Sequence, residues 1–387
     1  MIQLFSNSLG GDELKAVEAV FQSRWLGKGK ECSAFEHEFA AHLNTSSALL
    51  TNSCTSAIQI AVRALGIGDG DEVIVSTVNF VACATAVLEA GANPVFADVD
   101  PSTLNLVQTE IERLKTPRTK AVFLLHYGGH PAEMDEIRAA CGPRIAIIED
   151  SANAISSSYK DRMCGAIGDA GVFSFDAMKT LVMSDGGTLI LQDHEVLERA
   201  RTLRYMGLSS GRTSGMEAMA SEHRWWEYDL DALSGRSISN DLLAAIGRVQ
   251  LKRLPGFLRR RKEVWERYQA ELSSIGGLRV PPEPAKQTTS SYYLYWVQVE
   301  DGREDLASYL ADNGVYSSFR YFPLHLVKYL QTNTRLSAAE YVNERTLNLP
   351  LHQNLSDDDV SKVIDLLRRY FSRRSRPAPV AAGTQHG

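Results

Sequence analysis

The sequence has 387 residues, of which 44% are hydrophobic and 23% are charged, a balance typical of a globular protein with a large core. Its formal net charge of -6 gives no basic footprint for nucleic acid or for an acidic membrane surface. No apolar run reaches the length of a membrane span, and the first residues lack the basic and apolar regions of a signal peptide. We therefore expect neither a membrane span nor a signal peptide.

The first half of the chain alternates between strand and helix patterns. Apolar residues at three- and four-residue spacing predict helices over residues 12–23 and 33–43. Short apolar runs between helical stretches then predict strands at Ala48–Thr51, Val73–Ser76, Pro94–Asp98, Ala121–His126, Ile145–Asp150, Gly171–Phe175 and Thr188–Leu191. Because these runs are rich in Val, Ile and Phe and lack clean alternation, they favour an α/β domain whose sheet is covered by helices on both faces.

The pattern breaks at residues 205–237, which are rich in Gly, Ser and Met and contain Trp225. A segment of this length without regular structure is usually functional or mobile. A long helix is predicted next, from about Asn240 to Ser273. It carries the basic run Arg259–Lys262, which we interpret as a solvated helix face.

The C-terminal third predicts a smaller α+β domain. Strands are expected at Tyr292–Val299 and Val315–Tyr321, and helices at Glu304–Asn313 and Asp357–Phe371. The last residues, rich in Arg, Pro, Ala and Gly, predict a disordered tail. We therefore expect an N-terminal arm and large domain over residues 1–240, a connecting helix and small domain over 241–372, and the tail over 373–387.

The five cysteines are scattered, odd in number and without a Cys-x-x-Cys pair. This usage argues for reduced thiols in a cytoplasmic protein and against a disulfide framework or a zinc site. The segment Phe322–His325 does not suit a metal site either, because no partner ligands stand at helical spacing.

A carboxylate and an amine follow two neighbouring predicted strands. One strand ends at Asp150, the next ends near Ser174, and Lys179 follows shortly after. This is the pair that pyridoxal phosphate (PLP) requires: the lysine forms a Schiff base with the aldehyde, and the aspartate keeps the pyridine nitrogen protonated so that the ring accepts electrons. A plain α/β binding protein, in which the two side chains form only a salt bridge, is the alternative.

Other residues near the predicted strand ends suit the same cofactor. The stretch Asn52–Ala57 opens a helix with small hydroxyl residues and could bind a phosphate, although a simple helix cap is the alternative. Phe80 could stack on the ring or belong to the core. Asn153 could reach the ring hydroxyl or act as a local cap. The glycine pair after Asp185 indicates close backbone approach or a tight turn.

Together these residues resemble the DegT/StrS family of PLP-dependent nucleotide-sugar aminotransferases, which have the aspartate aminotransferase fold type I. The resemblance runs from about residue 8 to 370. The motifs that carry it are Trp25–Gly29, Asn52–Ser56, Phe80–Ala82, Phe96–Asp100, His126–Gly129, Glu149–Ala152, Phe173–Lys179, Asp185–Gly187, Ala244–Leu251, Pro323–His325 and Leu349–His352. It implies a large mixed, mostly parallel sheet covered by helices and a smaller C-terminal α+β domain.

The resemblance also implies roles for particular residues. Lys179 would bond the cofactor and move protons, and Asp150 would pair with the pyridine nitrogen. The other cofactor-binding positions carried over are Thr55, Ser56, Phe80, Asn153 and Ser174, with Arg236 where the family commonly has an asparagine that reaches the neighbouring subunit's phosphate. The family forms homodimers with shared active sites. Related sugar dehydratases have histidine at the lysine position, so Lys179 favours amino transfer.

The implied reaction moves an amino group from an amino acid, expected to be L-glutamate, to a nucleotide-linked keto-deoxysugar, expected to be a dTDP-4-keto-6-deoxyhexose. The spacing from Lys179 to the glycine pair resembles members acting on C4 ketones, but inositol-ketone members share it. A cyclitol ketone of the scyllo-inosose type therefore stays open as acceptor, and so does a non-catalytic sensor. Candidate substrate contacts are Lys28, Trp225, Arg320, Tyr321 and His325.

Overall fold

The computed structural model describes residues 1–209, 228–330 and 332–374. Its strands are β1 (Leu49–Thr51), β2 (Glu72–Ser76), β3 (Asn93–Ala97), β4 (Thr119–Leu125), β5 (Ala146–Asp150), β6 (Ser158–Tyr159), β7 (Arg162–Met163), β8 (Ala170–Ser174), β9 (Gly187–Leu191), β10 (Leu278–Arg279), β11 (Thr288–Thr289), β12 (Tyr295–Val299) and β13 (Thr346–Leu349). Its helices are α1 (Gly11–Ser23), α2 (Lys30–Leu43), α3 (Cys54–Ala64), α4 (Ala82–Glu89), α5 (Gln108–Leu114), α6 (Met134–Cys141), α7 (His194–Arg204), α8 (Asp241–Leu272), α9 (Arg303–Asp312), α10 (Ser337–Arg345) and α11 (Asp357–Arg374).

Seven strands form one large mixed sheet in the order β1-β9-β8-β5-β4-β2-β3. β9 pairs antiparallel with both of its neighbours, and the other four pairings are parallel. The predicted fold class is confirmed, and each of the seven predicted strands of the first half lies within two residues of an observed one.

Helices bury both faces of this sheet, which explains why its strands read as continuous apolar runs. Along β2, Val73 and Val75 pack into one hydrophobic cluster, and Ile74 between them packs into another. Successive side chains of a strand point to opposite faces, so each face of β2 belongs to a separate core. All five residues of β2 are buried.

A second, three-stranded sheet has the order β10-β12-β13 and packs with α8, α9 and α11 around its own hydrophobic cluster. The strand predicted over Val315–Tyr321 is wrong. Within the described residues this segment makes two isolated bridges and no ladder, one bridge from Val315 to Ile2 and one from Ser318 to Asn348. The strand predicted over Tyr292–Val299 begins at Tyr295.

The long helix α8 has 32 residues and begins at the N-cap Asn240, whose side chain accepts a hydrogen bond from Leu243 N. The interpretation of its basic run as a solvated face is wrong at Arg261, which is 0% exposed. The Arg261 guanidinium donates to Leu351 O at 2.9 Å and to Gln353 Oε1 at 3.1 Å. Arg259 and Lys262 are exposed as expected.

None of the described helices is long and apolar enough to cross a membrane. The predicted C-terminal tail begins inside α11, which continues to Arg374, and its remaining residues 375–387 lie outside the described part of the chain. Most of the segment expected at 205–237 also does, since residues 210–227 are not among those described.

Candidate active site

The carboxyl ends of the parallel strands meet at one edge of the large sheet. β5 ends there at Asp150, β8 ends at Ser174, and β1 leads directly into α3. β9 runs in the opposite direction, so its first residue, Gly187, lies at the same edge, where it pairs with Ser174. This edge is where ligands bind in open α/β sheets.

The first turn of α3 faces this edge. Ser53 is the N-cap, and its Oγ accepts a hydrogen bond from Ser56 N at 3.1 Å. Gly187 passes so close that a Cβ there would lie 2.5 Å from Cys54 N, which confirms the close backbone approach predicted for the glycine pair. The unpaired amides at a helix start suit an anionic group such as a phosphate.

Lys179 and Asp150 line the same cleft, which has a volume of about 260 Å³. Asp150 is only 3% exposed, and burial raises the pKa of its carboxyl, although a hydrogen bond from Ala152 N and the charge of Lys179 oppose this shift. A buried carboxylate of this kind requires a cationic or hydrogen-bonding partner. No ion pair within 4.0 Å joins it to Lys179 in the described structure, which disfavours the salt-bridge alternative.

The surroundings of Lys179 act on its amine in opposite directions. Burial alone would lower its pKa, but Tyr293, Tyr321 and Asp150 beside it raise the pKa overall. These neighbours together favour the charged form of the amine.

Two side chains near the cleft fit an aromatic ring that carries a hydroxyl. Phe80 is 53% exposed despite its apolar ring, and it forms part of the cleft wall. Asn153 is 1% exposed, yet within the described residues neither its Nδ2 nor its Oδ1 has a hydrogen-bond partner. Buried amides without partners are rare, so this amide fits a polar atom of a ligand. The residues present therefore fit PLP.

A buried pair stands next to Asp150. His126 Nε2 lies 2.9 Å from Glu149 Oε2, and both side chains are 0% exposed. The amide of Ala132 donates to His126 Nδ1 at 3.0 Å, which leaves Nε2 as the ring nitrogen that donates to Glu149. Glu149 also accepts from the amide of Gly165 at 2.8 Å, and the pair thereby fixes the end of β5.

The structure brings together seven of the residues that the sequence singled out. The residues lining the cleft include Thr55, Phe80, Asp150, Ser174, Lys179, Arg320 and Tyr321. Ser56 lies beside them, but its Oγ accepts a hydrogen bond from Ser53 Oγ at 3.1 Å. Asn153 lies three residues after Asp150, in the segment that follows β5.

Other predicted residues do not line this cleft. Lys28 is 8% exposed, and its carbonyl accepts from Trp25 Nε1. Arg236 is exposed and lies over the ring of Tyr205. Trp225 lies outside the described residues.

His325 is also absent from the cleft wall. It is 1% exposed, and its Nδ1 lies 2.8 Å from Thr77 Oγ1. Its Nε2 lies 3.7 Å from Glu340 Oε1, beyond hydrogen-bond distance, and has no hydrogen-bond partner among the described residues. This placement does not favour the predicted contact with a substrate.

Sequence reasoning missed Tyr293. Its ring lies 5.1 Å from the Nζ of Lys179, measured to the ring centroid. The two residues are far apart in the chain, and Tyr293 stands in an aromatic stretch that reads as the start of a core strand. A local pattern therefore carried no signal for its position beside Lys179.

A mixed sheet of this strand order, with a lysine and an aspartate in the cleft at its carboxyl edge, defines a PLP-dependent enzyme of fold type I. The chain belongs to the DegT/DnrJ/EryC1/StrS aminotransferase family, whose sequence model matches residues 7–368.

Known relatives agree with this assignment over nearly the full chain. The dTDP-4-dehydro-2,3,6-trideoxy-D-glucose 4-aminotransferase of Saccharopolyspora spinosa is 42% identical, over 97% of this chain and 99% of that protein. The crystal structure of the aminotransferase TlmJ from Streptoalloteichus hindustanus has 45% identity and a TM-score of 0.92, covering 97% of this chain and 100% of that one. The PLP form of Spr1654 from Streptococcus pneumoniae has 25% identity and a TM-score of 0.87, covering 96% and 98%.

The cofactor and the reaction class predicted from the sequence are confirmed. The enzyme is a PLP-dependent sugar aminotransferase, because its family consists of PLP-dependent transaminases and its relatives are named sugar aminotransferases.

Proposed function

We propose that this aminotransferase moves the amino group of L-glutamate to a nucleotide-linked keto-deoxysugar, namely a dTDP-4-keto-6-deoxyhexose. The observation that carries the proposal is the placement of Lys179 and Asp150 in one cleft with Arg320 at its wall. The name of the 42% identical relative, a 4-aminotransferase acting on a dTDP-linked 4-dehydro sugar, supports the acceptor class.

Residues of the cleft would hold the cofactor in a defined way. Thr55, Ser174 and the start of α3 would bind its phosphate, with Ser56 contributing through the same helix turn. Phe80 would stack on the ring, and the unpaired amide of Asn153 would bind the ring hydroxyl. When bound, PLP supplies an electron sink for the carbon that loses or gains a proton.

The chain's own ionisable groups carry out the remaining steps. The carboxylate of Asp150, buried and facing the cleft, would keep the ring nitrogen protonated. Nζ of Lys179 would bond the cofactor in the resting enzyme and, once free, would move a proton between the substrate carbon and the cofactor carbon in each half-reaction.

Arg320 is the natural contact for an anionic substrate group. Within the described lining of the cleft, the cationic side chains are Lys179 and Arg320. The Arg320 guanidinium lies 4.7 Å from the centroid of the Phe5 ring, which holds it at the cleft wall. We assign to it the diphosphate or carboxylate of a substrate, with Tyr321 beside it.

We further propose that the enzyme is a homodimer in which Arg236 reaches the phosphate of the neighbouring subunit. Arg236 is exposed and does not line its own cleft. Large apolar side chains stand exposed on α1 and in the segment before α8: Leu14 is 71% exposed, Phe21 60% and Leu233 84%. Where such side chains form one contiguous apolar patch, the patch marks a surface that binds a partner.

An absorbance titration of the purified holoenzyme tests the proposed substrates. We expect a yellow band from the cofactor bonded to Lys179, which L-glutamate bleaches and a dTDP-4-keto-6-deoxyhexose restores. Restoration only by an inositol ketone would contradict the sugar assignment and favour the cyclitol acceptor. A band that no amino donor bleaches would favour the non-catalytic sensor.

A further inference from the structure

The ring of Tyr293 lies against the reactive amine. Nζ of Lys179 stands over this ring, 5.1 Å from its centroid, and Tyr293 is only 1% exposed. The Tyr293 hydroxyl donates a long hydrogen bond of 3.5 Å to Met178 O, in the residue that precedes the lysine. Tyr293 therefore contacts both the side chain and the backbone of the segment that carries Lys179.

The Tyr293 ring is itself fixed from two other sides. Phe5 stacks on it with centroids 5.5 Å apart and an interplanar angle of 20°. The buried guanidinium of Arg261, from α8, lies 5.9 Å from the ring centroid and donates to Tyr293 O at 3.4 Å. A side chain held by this many contacts offers a rigid surface rather than a mobile one.

The chemistry of Arg261 explains its place in this arrangement. Its described hydrogen-bond partners are all neutral: Gln353 Oε1 and the backbone carbonyls of Tyr292, Tyr293 and Leu351. Burial lowers its pKa to about 10. Burying a cation without a carboxylate partner is costly. The hydrogen bonds of Arg261 offset this cost, and they join the backbone at Tyr292 and Tyr293 to the backbone at Leu351.

We propose that Tyr293 is a positioning residue that holds the free ammonium of Lys179 on its ring face during turnover, and that Arg261 keeps this ring in place. The inference rests on the proposed role of Lys179 as the residue that bonds the cofactor. A free lysine side chain has four rotatable bonds, so ordering it costs more rotamer entropy than ordering most other side chains. An aromatic face beside Nζ offsets this cost only while the amine is charged and unbonded.

Several groups other than Tyr293 also act on this amine. Tyr321, Asp150 and Cys54 face it from the neighbouring segments and favour its charged form. Their contribution stays constant when only the ring at position 293 is changed. The test must therefore alter the electron density of that ring while preserving its volume.

The experiment measures how readily the free amine reacts. The full-length enzyme is reconstituted with pyridoxamine 5′-phosphate, which leaves Lys179 unbonded, and is acetylated with acetic anhydride at near-neutral pH. Mass spectrometry of the peptide that contains Lys179 gives its labelling rate, with Lys15, whose side chain is 80% exposed, as internal standard. The series compares the native protein, Tyr293→Phe, and replacement of Tyr293 by pentafluorophenylalanine.

We expect Tyr293→Phe to keep the native labelling rate, because the ring face is retained. The fluorinated ring repels a cation, so it should raise the fraction of neutral amine and the labelling rate by roughly five- to tenfold. The matched control is the same pair of replacements at Tyr295, which is equally buried on β12 and packs against Tyr268, away from the cleft. It should leave the rate of Lys179 unchanged.

Equal rates for the phenylalanine and pentafluorophenylalanine proteins would overturn the inference. So would an equally large rate increase in Tyr293→Phe, because the hydroxyl and not the ring would then hold the amine. Borohydride reduction of the PLP-loaded enzyme separates this result from a failure of the proposed function. If reduction fixes the cofactor to Lys179, only the role of Tyr293 is refuted; if it fixes the cofactor to another lysine, the proposed function fails.

Discussion

Asp150 stands at the end of β5 with 3% of its surface exposed, and this burial determines the effect of substituting it. In Asp150→Asn the ring nitrogen of PLP would lose its proposed carboxylate partner, so we expect bound cofactor but transamination slowed by orders of magnitude. Stopped-flow absorbance with L-glutamate measures the rate of the first half-reaction.

The same substitution elsewhere provides the control. Asp193 is the N-cap of α7, and its side chain accepts from Val196 N. Because asparagine caps helices as well as aspartate does, Asp193→Asn should leave both cofactor binding and rate unchanged. An unaltered rate in Asp150→Asn would show that the ring nitrogen does not face this carboxylate.

At the scale of single residues, the sequence predicted the centre of the site better than its surroundings. Asp150 ends one strand and Lys179 follows another. Because the carboxyl ends of parallel strands lie at one edge of the sheet, a local pattern was sufficient to predict that these two side chains lie close together. Arg261 and His325 depend on distant partners instead. Arg261 bonds to the carbonyl of Leu351, and His325 bonds to the hydroxyl of Thr77. No periodicity within their own segments predicts these contacts.

At the scale of elements, the approach of β9 to the start of α3 gives a sharp prediction. A Cβ at Gly187 would lie 2.5 Å from Cys54 N, so Gly187→Ala must push the strand and the helix apart. We expect a loss of roughly 1–3 kcal/mol in the free energy of unfolding, together with weaker PLP binding. Urea denaturation and a PLP titration measure the two effects.

Gly256 offers the matched control. It lies within α8, and a Cβ there would meet no described atom within 4 Å. Alanine in a helix interior is favoured over glycine by about 1 kcal/mol, so Gly256→Ala should be neutral or stabilising and should not affect PLP binding. Equal effects of the two substitutions would contradict the importance of the contact between β9 and α3.

The sequence predicted correctly the elements in which the pattern of apolar residues follows from burial. The strands of the large sheet are apolar because both of their faces are covered. Val315–Tyr321 has the composition of a strand. In the described structure, however, it forms single β-bridges at Val315 and Ser318, and no neighbouring strand extends either bridge into a ladder. The composition of a segment indicates whether it is buried, whereas its pairing into a sheet depends on a second strand elsewhere in the chain.

At the scale of the whole molecule, the proposed shared active site can be tested by mixing inactive subunits. Lys179→Ala removes the reactive amine, and Arg236→Ala removes the proposed phosphate contact to the neighbour. In a co-expressed heterodimer one site contains both defects and the other contains neither. We expect each variant alone to be impaired and the mixture to recover up to about a quarter of the native activity.

The recovery depends on a dimer, which light scattering detects directly. A fully active monomer would contradict the proposal, as would a mixture no more active than the two variants measured separately. The division of the chain that we propose at residue 240 also belongs to this scale. It falls at the N-cap of α8, whose 32 residues lead from the large sheet to the small one.

The thiols described above have a practical consequence for handling the enzyme. Four of the five cysteines are buried, and the fifth, Cys54, is half-buried in the cleft. Burial raises the pKa of all five, so almost none is present as the thiolate that reacts with oxidants and alkylating agents. The purified enzyme should therefore tolerate storage in air without added reductant.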